Sequence, residues 1–207
     1  MKCLKLINGI VSILIAAVSL TSMYKPTMAL PTKAEQAIVI EYTTGRTLLA
    51  KNADKPMHPA SMTKMMTAYM VFDRLKTGTL SLDTKFRVSK RAWKKGGSRM
   101  FLRENQTVRL EDLIRGIIVQ SGNDASIAIA EGISGSEEDF AREMTEKAHE
   151  IGMKNTIFKN ASGWPDEEHL TTARDLATLI DTTIREFPNF YHYYAEQEFR
   201  YSNINQR

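Results

Sequence analysis

The stretch "HPASMTKMM", residues 58–66, marks the point at which strand-like patterning gives way to helical patterning. Apolar residues then recur at helical spacing, so Ser61 and Lys64 are predicted to share one face, about 5–6 Å apart at Cβ. Ser61 would stand in the first turn, where free backbone N–H groups favour developing negative charge. A serine hydroxyl needs a base, and a desolvated lysine with a lowered pKa can provide one. Taken alone, the pair also fits a helix cap followed by a solvated lysine.

A second stretch, "VQSGNDAS" at residues 119–126, interrupts two apolar helical segments. Side chains in such a tight connection can point into a cleft, where the Ser121 hydroxyl could relay a proton to a leaving amine. The Asn123 amide could donate to a substrate carbonyl and accept from an amide or a lysine. The alternative is an ordinary connection between two helices, with Asn123 as the N-cap of the second.

The rest of the sequence predicts a β-hairpin followed mainly by helices. "QAIVIEY" (residues 36–42) is rich in β-branched residues, and "TLLAKN" (residues 47–52) is its predicted partner across a turn. Two later helices are predicted to begin at capping boxes, formed by Ser136 with Asp139 and by Thr172 with Asp175.

The two motifs, 60 residues apart and in this order, resemble those of the penicillin-binding D-alanyl-D-alanine carboxypeptidases, the low-molecular-mass serine peptidases of the bacterial cell wall. The likeness covers nearly all of residues 30–207. It extends through "GGSRMFL" (96–102), "LIRGIIVQSGNDASIAIAE" (113–131), "GMKNTIFKNASGWPDEEHLTTARDLATL" (152–179) and "EFRYSN" (198–203). By this resemblance Ser61 is the acyl-ester nucleophile, Lys64 is its general base, and Ser121 and Asn123 line the opposite wall. The resemblance implies no metal and no cofactor.

The fold that this resemblance implies is α/β (α+β), of the β-lactamase/transpeptidase type. It has an antiparallel sheet with flanking helices and a helical subdomain that holds Ser121 and Asn123. In the family a Lys-Thr-Gly triplet lies on a strand beside the nucleophile, roughly a hundred residues after the Ser-Gly-Asn motif. We therefore expect that triplet, and the later strands of the sheet, beyond Arg207. The chain as given is expected to be a fragment, poorly stable and essentially inactive.

A Lys-Thr-Gly triplet at residues 76–78 comes too early to be the functional one. It follows Lys64 by 12 residues and is predicted to end the helix that begins near Ser61, with Gly78 as the stop. The far end of a four-turn helix lies ~18–20 Å from its first turn. Lys76 is therefore predicted not to reach a substrate at Ser61.

Residues 167–171, "EEHLT", resemble the E-x-x-L-N loop of the class A β-lactamases, in which the glutamate activates the deacylating water. Thr171 replaces the asparagine of that loop, and the second motif is Ser-Gly-Asn rather than the Ser-Asp-Asn usual in those enzymes. The surrounding sequence resembles the carboxypeptidases more closely, so a class A-like β-lactamase is the less favoured alternative.

Residues 1–29 are predicted to be a cleaved secretory signal. Lys2 and Lys5 form a basic start, residues 7–20 are mostly apolar, and Thr27-Met28-Ala29 offers small residues before a cut after Ala29. The apolar run is shorter than the ~20 residues that span a bilayer, which disfavours a membrane anchor. Export to the periplasm, or to the outer face of the cytoplasmic membrane, is therefore predicted. A peripheral membrane association is considered only for a longer form.

The charge balance gives no support for a nucleic-acid partner. Beyond residue 29, the sequence contains 25 Lys and Arg residues and 24 Asp and Glu residues, so it has almost no net charge. The basic run at residues 90–99 is predicted to be a solvated loop, with a weak contact to anionic envelope polymers as the second interpretation. The histidines show no metal-binding spacing and are predicted to be solvated or capping: His58, His149, His169 and His192.

The expected function is that of a secreted serine D-Ala-D-Ala carboxypeptidase. It would remove the terminal D-alanine from peptidoglycan stem pentapeptides through an acyl-serine intermediate at Ser61, and it would bind β-lactams as inhibitors. The alternative from another class is a catalytically dead remnant or binding protein that keeps the site without the activity.

Overall fold

The hairpin near the start of the chain forms as predicted. The computed structural model describes residues 32–207, and the predicted signal segment lies outside the described residues. Strand β1 (Ala37–Ile40) pairs antiparallel with β2 (Thr47–Lys51). The turn between them is held by the Glu41 carboxylate, which accepts hydrogen bonds from the backbone N–H groups of Thr43 (2.8 Å) and Thr44 (2.7 Å).

Helix α1 (Thr63–Lys76) is the central element of the core. A 3₁₀ turn at Ala60–Met62 leads into it, and all of its residues from Met66 to Phe72 are buried among the other long helices. Thr77 caps its C-terminus, and Gly78 follows with φ of +72°, a conformation that glycine adopts without strain. The early Lys-Thr-Gly triplet therefore ends α1, as predicted.

Among the described residues, five further helices follow α1, and the four longer ones pack against it. They are α2 (Lys90–Lys94), α3 (Leu110–Ile118), α4 (Asn123–Ser134), α5 (Glu137–Glu150) and α6 (Ala173–Glu186). The N-cap hydrogen bond forms at both predicted capping boxes. Ser136 Oγ accepts from the Asp139 N–H, and Thr172 Oγ1 accepts from the Asp175 N–H, each at 3.0 Å. Among the described residues, no helix is long and apolar enough to cross a membrane.

Two short hairpins follow, and of their strands only the one at the start of "EFRYSNINQR" (residues 198–207) shows strand-like alternation in the sequence. Strand β3 (Lys85–Arg87) pairs with β4 (Thr107–Arg109), and β5 (Phe199–Tyr201) pairs with β6 (Ile204–Gln206). Each of these strands has only three residues, too few for a reliable alternation of polar and apolar positions. In the part of the chain that the structure describes, the named strands form three separate two-stranded sheets.

The basic run at residues 90–99 is not simply a solvated loop, which corrects the prediction. Its first half is helix α2, and Arg91 forms ion pairs with Glu137 (2.7 Å) and Glu138 (2.8 Å) at the start of α5. Glu137 is buried, so a positive partner is needed there to compensate for its desolvation.

The segment after α2 is attached to the start of α4 by a buried carboxylate. Asp124 is 1% exposed, and its carboxylate accepts hydrogen bonds from the backbone N–H groups of Met100 and Leu102, each at 3.0 Å. The backbone N–H of Asn123 donates to the Ser98 carbonyl (2.8 Å). Residues 98–102 are thereby held against the connection that contains Ser121 and Asn123.

We predict that Asp124→Asn lowers the free energy of unfolding by about 2–3 kcal/mol, because an amide retains one acceptor oxygen and turns an N–H donor toward a backbone N–H. Asp181→Asn is the matched control, since the exposed Asp181 of α6 pairs only with Arg185 among the described residues and its loss should change stability little. Urea denaturation of both variants measures the difference. Equal effects would contradict the role assigned to Asp124.

Candidate active site

The predicted pair of Ser61 and Lys64 is brought together. Ser61 lies in the 3₁₀ turn that precedes α1, rather than in the α-helix itself, and Ala60 before it has φ of +47°. Lys64, in the first turn of α1, places Nζ 3.3 Å from the Ser61 hydroxyl oxygen. The Lys64 ammonium also donates to the Ser162 carbonyl oxygen at 2.8 Å. The two contacts aim the amine at the hydroxyl that it would have to deprotonate.

Burial makes Lys64 a plausible base. The residue is 4% exposed, and this desolvation lowers the pKa of Lys64 to about 8. No carboxylate makes an ion pair with it among the described residues, so nothing restores the preference for the charged form. At pH 7 a group with this pKa is neutral in roughly one molecule in ten. That fraction can accept the Ser61 proton.

The Ser162 carbonyl, which accepts the hydrogen bond from Lys64, belongs to a loop whose conformation is fixed by one asparagine. Asn160 Oδ1 accepts from the backbone N–H groups of Gly163 (2.8 Å), Trp164 (2.9 Å) and Ser162 (3.2 Å). Its amide nitrogen donates to the Trp164 carbonyl at 2.9 Å. A single side chain therefore fixes three consecutive residues and, with them, the direction of the Ser162 carbonyl.

Residue 161 anchors the same loop to two helices. The Thr67 hydroxyl of α1 donates to the Ala161 carbonyl (2.7 Å), and the Ala161 N–H donates to the buried carboxylate of Glu137 (3.1 Å). Because Glu137 is also paired with Arg91, helix α2 supports this loop through that ion pair.

Gly163 packs directly against the turn that carries the nucleophile. A Cβ at this position would lie 1.7 Å from the Ala60 carbonyl oxygen and 2.3 Å from its carbon. Gly163 also has φ of +79°, so any other residue would be strained there as well. The contact lets the backbone carrying Ser162 approach the backbone carrying Ser61 closely.

A buried histidine joins the site, and the sequence analysis missed it. His169 is 2% exposed, which corrects the prediction of a solvated or capping side chain. Its Nδ1 accepts from the Lys159 N–H (3.2 Å), so Nε2 carries the proton and donates to the Thr63 hydroxyl (2.9 Å). Burial lowers the pKa of His169 to about 4, so the ring is neutral near pH 7. Thr63 and His169 are 106 positions apart in the chain, so no local sequence pattern predicts their hydrogen bond.

Ser121 and Asn123 lie at the predicted connection between α3 and α4. Ser121 has φ of +55°, and Asn123 is the first residue of α4, with Gly122 as its N-cap. The Asn123 side chain donates to the Gly96 carbonyl (2.9 Å) rather than capping the helix. Among the described residues, no hydrogen bond joins Ser121 or Asn123 to Ser61 or Lys64.

The two halves of the site are linked through residues 95–98 and Trp164. A Cβ on Gly97 would lie 2.7 Å from Asn123 Nδ2 and 3.4 Å from Trp164 Cζ3, so the two side chains approach the same glycine. The Lys95 ammonium lies over the Trp164 ring, 4.0 Å from its centroid. Since Trp164 follows Gly163, the indole lies between the nucleophile side and the Asn123 side.

The β-lactamase-like stretch does not contact the nucleophile. Glu167 is exposed and makes no hydrogen bond to Ser61 or Lys64 in the part of the chain that the structure describes. Thr171 is buried, pairs with Met57 in an isolated bridge, and shares a hydrogen bond with the Thr156 hydroxyl (2.8 Å). Within residues 32–207, no cluster of three or more His, Cys, Asp or Glu side chains could hold a metal ion.

Comparison with known proteins gives a consistent family. The sequence model of the D-alanyl-D-alanine carboxypeptidase family (peptidase S11) matches residues 23–207. The D-alanyl-D-alanine carboxypeptidase DacF of Bacillus subtilis is 41% identical over 161 residues, which are 78% of this chain and 41% of the relative. The chain therefore spans about two-fifths of the length of this curated relative.

Solved structures agree with the fold. Penicillin-binding protein 5 from Haemophilus influenzae superposes with a TM-score of 0.83 at 37% identity, covering 86% of this chain and 53% of that one. The ampicillin-bound form of penicillin-binding protein D2 from Listeria monocytogenes superposes with a TM-score of 0.75 at 26% identity, covering 86% and 72%. The predicted transpeptidase-like fold is confirmed.

We predict that the pKa of Lys64 in the folded protein is about 8. The ¹³Cε and ¹⁵Nζ chemical shifts of labelled lysine, followed from pH 6 to 11, give this value, and Lys64→Met identifies the signal by its disappearance. A midpoint near the ordinary lysine value of about 10.4 would show that the amine is solvated.

We predict that Gly163→Ala raises the pKa of Lys64 toward the ordinary value. The added methyl would overlap the Ala60 carbonyl, so the loop has to move away and water can reach the amine. Gly135→Ala is the matched control, because Gly135 has a similar φ of +81° and open space around it. The same chemical shifts measure both variants. A lysine titration unchanged in Gly163→Ala would contradict the packing argument.

Proposed function

The chain belongs to the D-alanyl-D-alanine carboxypeptidase family, and on that premise we propose that it carries the acylating residues of a serine-type D-Ala-D-Ala carboxypeptidase. One observation carries the proposal: the buried amine of Lys64 lies 3.3 Å from the Ser61 hydroxyl and has no carboxylate partner among the described residues. A lysine that must stay charged for structural reasons is normally solvated or paired with an acid. The Lys64 amine is instead held beside the Ser61 hydroxyl, where its neutral form can act as a base.

The proposed reaction begins with proton transfer. Neutral Lys64 takes the proton of the Ser61 hydroxyl while Oγ attacks the carbonyl carbon of the penultimate D-alanine. The position of Ser61 immediately before α1 favours the negative charge that develops there, because the positive end of the helix dipole lies at this end of α1. Lys64 keeps its hydrogen bond to the Ser162 carbonyl, which holds the new ammonium near the forming ester.

The second step breaks the peptide bond. The nitrogen of the terminal D-alanine needs a proton to leave, and the Ser121 hydroxyl is proposed to relay one from Lys64. Asn123 is proposed to bind the peptide backbone of the substrate, although its amide donates to Gly96 in the present structure and would have to exchange that contact. Water then hydrolyses the acyl-serine and releases the shortened peptide.

β-Lactams are the proposed inhibitors, because attack of the same hydroxyl on the lactam carbonyl opens the ring and gives an acyl-serine. The substrate is proposed to be the pentapeptide stem of peptidoglycan. This function requires export, so the protein is proposed to work in the periplasm or on the outer face of the cytoplasmic membrane, consistent with the signal-like pattern of residues 1–29. Expression with and without that segment, followed by cell fractionation, tests the location.

We predict that a fluorescent penicillin labels the full-length protein at Ser61, and that Ser61→Ala abolishes labelling. Lys64→Arg should lose at least a hundredfold in acylation rate, since a guanidinium keeps the charge but cannot give up a proton. Lys76→Ala is the control and should stay within about threefold of the parent, because it changes only the distant end of α1. Gel fluorescence gives the rates and mass spectrometry gives the labelled residue.

Two outcomes would contradict this proposal. An adduct on a residue other than Ser61 would show that Ser61 is not the nucleophile. An acylation rate largely kept in Lys64→Arg would show that Lys64 acts only through its charge. Tight but non-covalent penicillin binding by a stable parent protein would favour the alternative of a binding protein without activity.

A further inference from the structure

Positive charge is concentrated in one loop of the protein. The segment of residues 85–103, called the basic loop, contains eight basic residues and no acidic one: Lys85, Arg87, Lys90, Arg91, Lys94, Lys95, Arg99 and Arg103. The other residues between 30 and 207 include 17 basic and 24 acidic side chains, a net charge of −7. The almost neutral total therefore hides an uneven distribution, and a surface of one charge sign attracts ions of the other.

The fold closes this loop into a compact patch. Strand β3 at its start pairs with β4, which follows its end, so that Arg87 lies opposite Thr107. The Val88 N–H also donates to the Gln106 carbonyl at 2.8 Å. Cations that are up to 18 positions apart in the chain are therefore carried by one loop whose two ends are joined.

Alternation of buried and exposed residues turns the charges outward. Phe86 and Val88 are buried, and Arg87 between them is exposed. Leu102 is likewise buried, and Arg103 after it is exposed. Helix α2, in the middle of the loop, buries its alanine and exposes three cations: Lys90, Arg91 and Lys94. One side of the loop is thus fixed to the core, and the other side presents positive charge to the solvent.

Most of these cations have no acidic partner. Arg91 is the exception, because it pairs with Glu137 and Glu138. Among the described residues, the other seven cations of the basic loop make no ion pair, whereas several arginines elsewhere each pair with an acid: Arg74, Arg109, Arg115, Arg142, Arg174 and Arg185. The positive charge of the loop is therefore left for an anion from outside the chain.

The arrangement suits a long anion better than a small one. None of these cations lines the cavity formed by Ala60 and Gly163 or the cavity between the first hairpin and α6. They are spread along the loop instead, so a single small anion cannot contact many of them. A flexible chain with a phosphate in each repeat can meet several cations in turn, and arginine matches the geometry of phosphate well.

The basic loop is poorly suited to a lipid bilayer. A peripheral helix binds a bilayer through a broad apolar face that enters the headgroup region. Helix α2 has only five residues. Of the large apolar side chains of the loop, only Trp93 (41%) and Phe101 (49%) are exposed, and the Arg99 guanidinium lies over the Phe101 ring, 5.3 Å from its centroid. Charge, and not an apolar face, is what this surface offers.

We propose that the basic loop binds a linear phosphodiester polymer of the cell envelope, with Lys90, Lys94 and Arg103 contacting successive phosphates. The loop borders the candidate active site, since the Gly96 carbonyl accepts from the Asn123 side chain at 2.9 Å. A polymer bound along the loop keeps that site close to the wall material. The proposal depends on the proposed export of the protein and not on the carboxypeptidase reaction.

Fluorescence anisotropy of end-labelled poly(glycerol phosphate) measures binding to the full-length protein. We expect saturable binding in 50 mM NaCl that weakens about tenfold in 200 mM NaCl, because each phosphate contact releases counterions. Inorganic phosphate at the same total phosphate concentration should not displace the polymer, since it cannot contact several cations at once. Vesicles of phosphatidylglycerol and phosphatidylcholine should compete less well than unlabelled polymer at equal phosphate concentration.

Two triple variants separate the loop from a general effect of net charge. The loop variant is Lys90→Gln, Lys94→Gln, Arg103→Gln, and it should bind the polymer at least about tenfold more weakly. The matched control removes the same charge from three exposed cations outside the loop that make no ion pair among the described residues: Arg46→Gln, Lys55→Gln, Lys154→Gln. It should stay within about twofold of the parent. Thermal melting shows whether each variant is folded, and the single variant Lys94→Glu repeats the test with one exposed change.

Four results would each overturn the proposal. They are the absence of saturable binding in 50 mM NaCl, an equal loss of affinity in the two triple variants, displacement of the polymer by inorganic phosphate, and tighter binding to the vesicles than to the polymer. The third would indicate a site for a single anion, and the fourth a membrane surface. None of them bears on the acylation of Ser61, which fluorescent penicillin measures separately.

Discussion

The burial of the Lys64 amine without a carboxylate partner is the constraint on which the candidate site depends. Between about pH 8 and the ordinary lysine value of about 10.4, the unfolded chain holds a proton on this residue and the folded chain does not. The contribution of Lys64 to stability therefore increases with pH through that window, and below it the folded state has to enclose an ammonium group. The site thus opposes folding at neutral pH, and the surrounding structure must offset this cost.

The offsetting contacts lie in the loop that covers the amine. Asn160 satisfies the backbone N–H groups of three residues, and Ala161 is bonded to α1 on one side and to the buried Glu137 on the other. Arg91 completes this arrangement by pairing with Glu137. A basic helix that looks like a surface feature in the sequence is therefore connected, through two contacts, to the carbonyl that positions Lys64.

The sequence predicted the parts of the site that are local in the chain, and the family resemblance supplied the fold. Ser61 and Lys64 are three residues apart, so helical spacing alone brings them together, and the capping boxes at Ser136 and Thr172 follow equally local rules. The close contact of Gly163 with Ala60 and the hydrogen bond of His169 to Thr63 span about a hundred residues. The periodicity of apolar residues in the sequence does not predict such contacts, because they depend on how helices pack and on backbone conformations such as the positive φ of Ala60. Of the three-residue strands, only β5 showed alternation in the sequence, and the others are too short to show a pattern.

The exposed indole of Trp164 has a consequence for how the protein can be observed. The sequence contains two tryptophans, and the other one, Trp93, lies in the short helix α2. Trp164 is 42% exposed and contacts both the ammonium of Lys95 and the glycine that touches Asn123. Its excited state is sensitive to nearby charge and to water, and both change when a molecule enters beside it. The protein therefore carries an intrinsic optical reporter next to its nucleophile, and replacing Trp93 by phenylalanine would leave Trp164 as the single source of indole emission.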